Sequence, residues 1–408
     1  MKVLMLCPDC QLIDRRVLQE ARSLQQAGHE VTVLSGFECS EERQYRDGGI
    51  DVHRYVFDWD DERLKRVKHL LPRNPRLRAL IYRSFGYLIR LLGRFTSFDL
   101  FVLSKARGFR SDVVHVHDLP FLIHGYTLAQ EWNARLVFDA HEIYYEQDTL
   151  PPRQRRRLRR QERRFAPKAD LFITVNDAIA DHYQRLHGRR PLVLMNCADT
   201  PPSGFDVDSR SQLREMAGLP EEATVVLYQG WISPERNLAI LVQAAERFPP
   251  GVYLALIGYG AYEQHLRELA RGTSWEDRVR FLGQVQPQHI LGLTAGADLG
   301  VIPYQPIDLN HTYSSPNKFF EYVLAGVPIV AHDLPFFRGM AERYGMAALG
   351  DLSTVDGMAA AILGVLADPQ KLAAMRSGCA RAAKVLNWEA EGQKLVEAYE
   401  HLRETRPA

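Results

Sequence analysis

The chain has 408 residues, 46% hydrophobic and 25% charged, an ordinary globular composition that excludes a disordered chain and is long enough for two domains. No run approaches the roughly 20 uninterrupted apolar residues of a spanning helix, and MKVLMLCPDC turns polar too soon for a signal peptide. The net charge of +1 hides an asymmetry: 33 Lys and Arg against 25 Asp and Glu over residues 1–190, then 18 against 25 over 191–408. A basic first half suits an anionic partner, and a cytoplasmic chain is expected.

Lys2–Cys7 is a short apolar run that reads as a first strand. From Asp14 the spacing becomes helical through Val17, Leu18, Ala21 and Leu24, Gly28 stops that helix, and Glu30–Ser35 is the next strand. This β-α-β unit implies a parallel sheet. Cys7-Pro-Asp-Cys10 is formally a C-x-x-C, but no second pair exists and the five cysteines are scattered, so chance outweighs redox or metal chemistry. Asp58-Trp-Asp60 lies in an acidic loop without a surrounding metal pattern.

Residues 62–95 mix Lys65, Arg66, Lys68 and Arg90 with Leu70, Leu80, Phe85 and Leu92, a basic amphipathic segment suited to a bilayer interface or to an oligomer contact. Alternation then resumes: strand Val113–His117, helix 120–132, strand Arg135–Ala140, helix 153–165, strand 171–175, helix 177–186 and strand 191–195. The helix at 153–164 carries a dense run of arginines, which nucleic acid or an anionic membrane or lipid diphosphate would satisfy; its place in a doubly wound domain favours the latter.

Residues 199–210 read as a linker, and a second α/β series starts at Thr224 and runs through strands at 252–258, 279–283, 299–303 and 327–331. The expected organisation is a first Rossmann-like domain over 1–198, a second over 211–387, and a closing helix over 388–408 returning toward the first domain. Ligands of such sheets bind beyond the carboxyl ends of the strands, so the substrate belongs in the cleft between the domains.

The densest chemistry is Ser314-Ser-Pro-Asn-Lys-Phe-Phe-Glu321. Ser315 is expected to cap a helix opening at Pro316, which leaves free N–H groups and a partial positive charge for phosphate. Lys318 is misplaced for the helix dipole unless a diphosphate lies there, and Glu321, one turn on, can accept from a ribose diol. Asn317 and Ser314 flank them. Gly258-Tyr-Gly260 suggests close backbone approach to a nucleotide, although Gly-x-Gly alone is weak. The first β-α turn has no Gly-x-Gly-x-x-Gly, which disfavours a nicotinamide dehydrogenase. His115 and His117 could imitate a metal pair, but no third ligand is evident.

The sequence resembles family 4 of the retaining glycosyltransferases, which have the GT-B fold. The resemblance rests on Asp14-Arg15-Arg16 with Glu20, Ala21 and Gly28-His-Glu-Val31, on Asp112-Val-Val-His-Val-His-Asp118, on Phe138-Asp-Ala-His-Glu142, and on Pro316–Tyr322 with Ala325-Gly-Val-Pro328. It implies a nucleotide-sugar donor in the second domain, held by Ser314, Ser315, Asn317, Glu321, Gly258 and Gly260. Catalysis would fall to His141, Arg236 and Lys318, and the acceptor side to Asp14, Arg15, His117, Asp118 and Glu142. No metal or cofactor is expected, because the leaving diphosphate itself takes the acceptor proton. A glycan or lipid-linked acceptor and surface polysaccharide synthesis complete the expectation. The chain departs from the family at three points: Tyr313 replaces the first Glu of Glu-x7-Glu, Trp231 replaces an Arg after Gly230, and Asp9–Ile13 lacks a glycine pair. An epimerase or hydrolase of the same fold, or a non-catalytic binder, remain the alternatives.

Overall fold

The computed structural model describes residues 1–8, 13–35, 38–57, 95–147, 150–200 and 209–405, together with 72, 74–78, 80–81 and 84. Cys10, Asp58-Trp-Asp60, most of the basic segment 62–95 and most of the linker lie outside the described residues.

Two parallel sheets form the architecture. The first holds β1 (Lys2–Leu6), β2 (Glu30–Ser35), β3 (Glu38–Asp47), β4 (Ile50–Val56), β5 (Val113–His117), β6 (Arg135–Ala140), β7 (Leu171–Thr174) and β8 (Leu192–Val193), in the order β3-β4-β2-β1-β5-β6-β7-β8. The second holds β9 (Thr224–Trp231), β10 (Val252–Tyr259), β11 (Val279–Gly283), β12 (Leu299–Ile302), β13 (Ile329–His332) and β14 (Ala347–Gly350), ordered β11-β10-β9-β12-β13-β14. Every pairing is parallel except β3 with β4. The antiparallel edge escapes the alternation because Glu38–Asp47 is mostly polar and its residues 41–47 bury no face that would show a period.

Central strands are apolar on both sides, as burial under helices on two faces demands. Val3, Met5 and Val33 meet the helix Arg15–Gln26 on one face, while Leu4, Val116 and Phe138 meet Leu122, Leu128 and Phe172 on the other. The second sheet is sandwiched likewise, Leu227 and Ile302 against Phe319 and Phe337, Tyr228 and Leu256 against Leu241 and Ile362. The helix Trp388–Glu404 follows the second series in sequence yet places Leu395, Tyr399 and Leu402 in the core of the first domain. Its Trp388 Nε1 donates to Ser23 Oγ at 3.0 Å.

Candidate active site

The strand ends of both sheets face one cavity of about 690 Å³, lined by Asp14, His141 and Glu142 from the first domain and by Gly230, Arg236, Lys318 and Glu321 from the second.

The donor side is built on the helix Asn317–Leu324, which starts one residue later than expected. Pro316 is its cap residue and no side chain caps it. Ser315 is already engaged: Asn176 of the first domain donates to Ser315 Oγ at 3.0 Å and to the Tyr313 carbonyl at 2.7 Å. Tyr313 packs on the first domain's core rather than facing the cavity as a carboxylate would, and Ser314 Oγ donates to the His311 carbonyl at 3.0 Å. Asn317 is exposed and lines the cavity.

Lys318 projects from the first turn toward β9. Its ammonium lies 3.8 Å from the Tyr228 ring centre and 5.1 Å from that of Tyr304, 6% of the residue is exposed, and Nζ has no hydrogen-bond partner. Burial, reinforced by Arg236, drives its pKa well below the usual lysine range against the pull of Glu321. Gly230, at φ +122°, makes room: a Cβ there would stand 3.1 Å from Lys318 Nζ. The Arg236 guanidinium lies 4.4 Å over Tyr304, and its Nε is also buried without a partner. Two neighbouring basic groups with orphaned donors are costly to bury, and an anion is the chemistry that would answer both. Glu321 accepts from Arg15 Nη1 at 2.8 Å and from Gln229 Nε2 at 2.6 Å and keeps lone pairs to spare.

Two expectations change here. Close packing already demands the glycines at 258 and 260: a Cβ on Gly258 would lie 1.9 Å from the Gly230 carbonyl oxygen, and one on Gly260 2.0 Å from that of Ile232. Their tight seating on β9 projects Trp231 and Tyr259 outward, each about half exposed and edge-to-face at 5.0 Å. Arg15, expected to face the acceptor, instead reaches across the cleft to Glu321.

On the first-domain side, Asp14 caps the helix Arg15–Gln26 by accepting from the Arg16 N–H at 2.8 Å. His141, just past β6, has both ring nitrogens occupied. Nε2 lies 3.0 Å from Asp139 Oδ2 and 3.2 Å from His117 Nδ1, and Nδ1 lies 3.5 Å from Asp118 Oδ2. Burial opposes its charge, but Asp118 and Asp139 prevail and raise its pKa to about 10. The raised pKa favours the imidazolium form, with Nε2 directed at Asp139. His117, pushed down to about 4 by burial, is fully buried behind His141, so neither it nor Asp118 lines the cavity as acceptor-side residues would. Burial lifts Asp118 to about 7 against the pull of His141, and its φ of +63° marks a tight turn after β5. Glu142 faces the cavity and accepts from Asn310 of the second domain at 2.7 Å.

Beneath His141 lies a network that sequence reasoning missed. Arg16 grips Asp139 with Nε at 2.8 Å and Nη2 at 3.1 Å, while Nη1 donates to the Leu194 carbonyl at 2.8 Å and Asn196 Oδ1 at 3.1 Å. Glu20, His115, His117 and Asp139 offer ligand atoms within 4.8 Å of one another, the spacing of a metal cage. The Arg16 guanidinium already stands 2.9 Å from Glu20 and 2.8 Å from Asp139 and supplies the countercharge, and His115 bonds the Tyr399 hydroxyl at 2.9 Å. The available signal was periodicity: Arg16 and Glu20 sit among Val17, Ala21 and Leu24 on one helix, and Asp139 directly follows the apolar run Leu136–Phe138.

Residues 13–197 match the family described as "Glycosyl transferase 4-like domain", and residues 209–384 match "Glycosyl transferases group 1". A D-inositol 3-phosphate glycosyltransferase of Xylanimonas cellulosilytica is 26% identical over 78% of this chain and 79% of its own. A phosphatidyl-myo-inositol mannosyltransferase of Mycolicibacterium smegmatis is 29% identical over 49% of this chain and 50% of its own. Among solved structures, Anabaena HepE in complex with UDP-glucose superposes with a TM-score of 0.73 at 20% identity, covering 98% of this chain and all of its own. A sucrose-phosphate synthase from Thermosynechococcus elongatus gives 0.73 at 18%, covering 99% of this chain and all of its own. The two sheets and their shared cleft are the GT-B fold of a glycosyltransferase. The chain belongs to the group 1, family 4-type glycosyltransferases.

Proposed function

We propose that this glycosyltransferase moves a sugar from a UDP- or GDP-sugar, with retention, to a glycan or lipid-linked acceptor in surface polysaccharide or glycoconjugate synthesis. The observation that carries the donor reading is the pair Lys318 and Arg236, two cations with buried, unanswered donors at the head of a helix. Their chemistry fits a diphosphate better than any neutral ligand. The HepE structure holds UDP-glucose, and the Mycolicibacterium relative is named for mannosyl transfer to phosphatidyl-myo-inositol, which supports both halves of the reading.

In the proposed reaction the acceptor hydroxyl oxygen bonds to the anomeric carbon as the bond from that carbon to the diphosphate oxygen breaks. The hydroxyl proton passes to the departing diphosphate. Lys318, Arg236 and the helix N-terminus stabilise the charge that builds there, so no metal is needed. His141, fixed as an imidazolium, walls the sugar on the first-domain side.

The helix Pro152–Phe165 supports a membrane-borne acceptor. It buries Leu158, Glu162 and Phe165 and exposes Arg153, Arg156, Arg157, Arg159, Arg160, Arg163 and Arg164. Such a face adds about 1 kcal/mol per basic residue at an anionic leaflet. No single helix among the described residues is long and apolar enough to cross a membrane, which is consistent with peripheral contact at its inner face.

Thermal-shift titration with UDP, GDP, ADP and dTDP tests the donor half. One nucleotide at 100 times its dissociation constant should stabilise the wild type by about 2.7 kcal/mol and leave Lys318→Ala unmoved. No shift with any of the four overturns the reading.

A further inference from the structure

Two consecutive arginines open the first helix, and they are used differently. Arg16 is saturated: its fork takes both oxygens of Asp139, and its remaining nitrogen meets the Leu194 carbonyl and Asn196. Arg15 crosses the cleft and touches Glu321 through Nη1 alone, at 2.8 Å. Its Nη2 is buried and has no hydrogen-bond partner.

An arginine whose only task were to pair Glu321 would gain most from the two-pronged geometry that Arg16 adopts on Asp139. The end-on approach leaves the second nitrogen free. That nitrogen belongs to the same rigid fork and so lies beside Glu321, which is one turn from Lys318 on the same helix. Lys318 Nζ and Arg236 Nε are orphaned in the same way. Three cationic groups, one from the opposite domain, therefore stand at one cleft with donors unmet, and the carboxylate that Arg15 reaches, Glu321, is already shared with Gln229. A nucleoside diphosphate spanning from Lys318 to Glu321 brings acceptors that answer all three.

We propose that Arg15 is a ligand of the nucleotide diphosphate supplied by the first domain, Nη1 orienting Glu321 while Nη2 meets a phosphate oxygen. This rests on the donor-site reading above. It makes the first domain part of the donor site, so nucleotide binding draws the two domains onto each other at the helix that Asp14 caps.

Isothermal titration of the full chain with UDP, GDP, ADP and dTDP, taking the one that binds wild type tightest, tests this. Arg15→Ala weakens that nucleotide about tenfold or more, and Arg15→Lys recovers part of the loss because it keeps the charge without the fork. In a double-mutant cycle, the loss on removing Arg15 persists in a Glu321→Gln background. If the loss vanishes there, Arg15 acts only through Glu321 and the proposal fails. It fails equally if Arg15→Ala binds as tightly as wild type or more tightly, since the ion pair would then be a lock on Glu321. If no nucleotide binds wild type, the donor reading itself has failed and takes this inference with it.

Discussion

The two walls of the cleft treat buried charge in opposite ways. On the first domain, Arg16, Asp139, His141 and Asp118 neutralise one another within hydrogen-bond or ion-pair distance. On the second, Lys318 is buried beside the half-buried Arg236, and Lys318 Nζ and Arg236 Nε have no hydrogen-bond partner. A closed network holds its own shape and does not need a ligand, whereas an open one waits for the ligand that completes it. The Arg16–Asp139–His141 cluster is positioned by its own contacts, whereas Lys318 and Arg236 keep donors that an anionic ligand would meet.

Breaking the closed network is the largest expected effect. Asp139→Asn removes the buried carboxylate that Arg16 grips and His141 Nε2 faces, and chemical denaturation should show a loss of about 3–5 kcal/mol. A loss below about 1 kcal/mol would mean that the network is not the closed unit described.

The outline of this contrast was legible in sequence, and its content was not. Alternating apolar runs and stop glycines exposed both sheets because burial on two faces enforces that pattern. Lys318 stood out because a cation in a first helical turn needs an anion to explain it, Glu321 because it lies one turn further on, and Arg236 entered through the family resemblance. Asn176, Asn196 and Gln229 were invisible, since their roles come from contacts across the cleft and between elements far apart in the chain. His117 and Asp118 were misjudged for a geometric reason: a strand-end motif says which residues approach the cleft, not which side chain stands in front. His141 stands in front. Gly258 and Gly260 were weak signals because a glycine pair after a strand has the same spelling whether a ligand or a neighbouring strand demands it.

That last distinction is testable and gives the next largest effect. Gly258→Ala forces a Cβ against the Gly230 carbonyl at a φ of +153°, and should lower the melting temperature through a cost of about 1–3 kcal/mol. An undiminished melting temperature would restore the nucleotide explanation for this glycine.

The charge state of His141 sharpens the description of the first wall. Its pKa rises from 6.5 to about 10 on folding, so the stability it contributes is fully present below pH 6.5 and is lost as pH climbs through 10. Urea titrations at pH 6.5, 8 and 9.5 should show the advantage of wild type over His141→Gln shrinking at each step. A constant gap would contradict a charged imidazolium.

The smallest effect belongs to Ser315. It does not cap the helix and contributes one acceptor to Asn176, so Ser315→Ala should cost about 0.5–1.5 kcal/mol, with nucleotide binding nearly unchanged. Asn176→Ala, which also releases the Tyr313 carbonyl, should cost more.

The central claim is that the second wall is held in an unfavourable state for the sake of a diphosphate. Lys318→Met tests it most directly, because stability and binding should move in opposite directions. Replacing a buried ammonium that has no acceptor by a neutral chain of similar length should leave the free protein as stable as wild type or more so, while affinity for the nucleoside diphosphate falls by about a hundredfold. A free protein that is clearly destabilised, with nucleotide affinity intact, would show that Lys318 is structural and that the diphosphate site lies elsewhere.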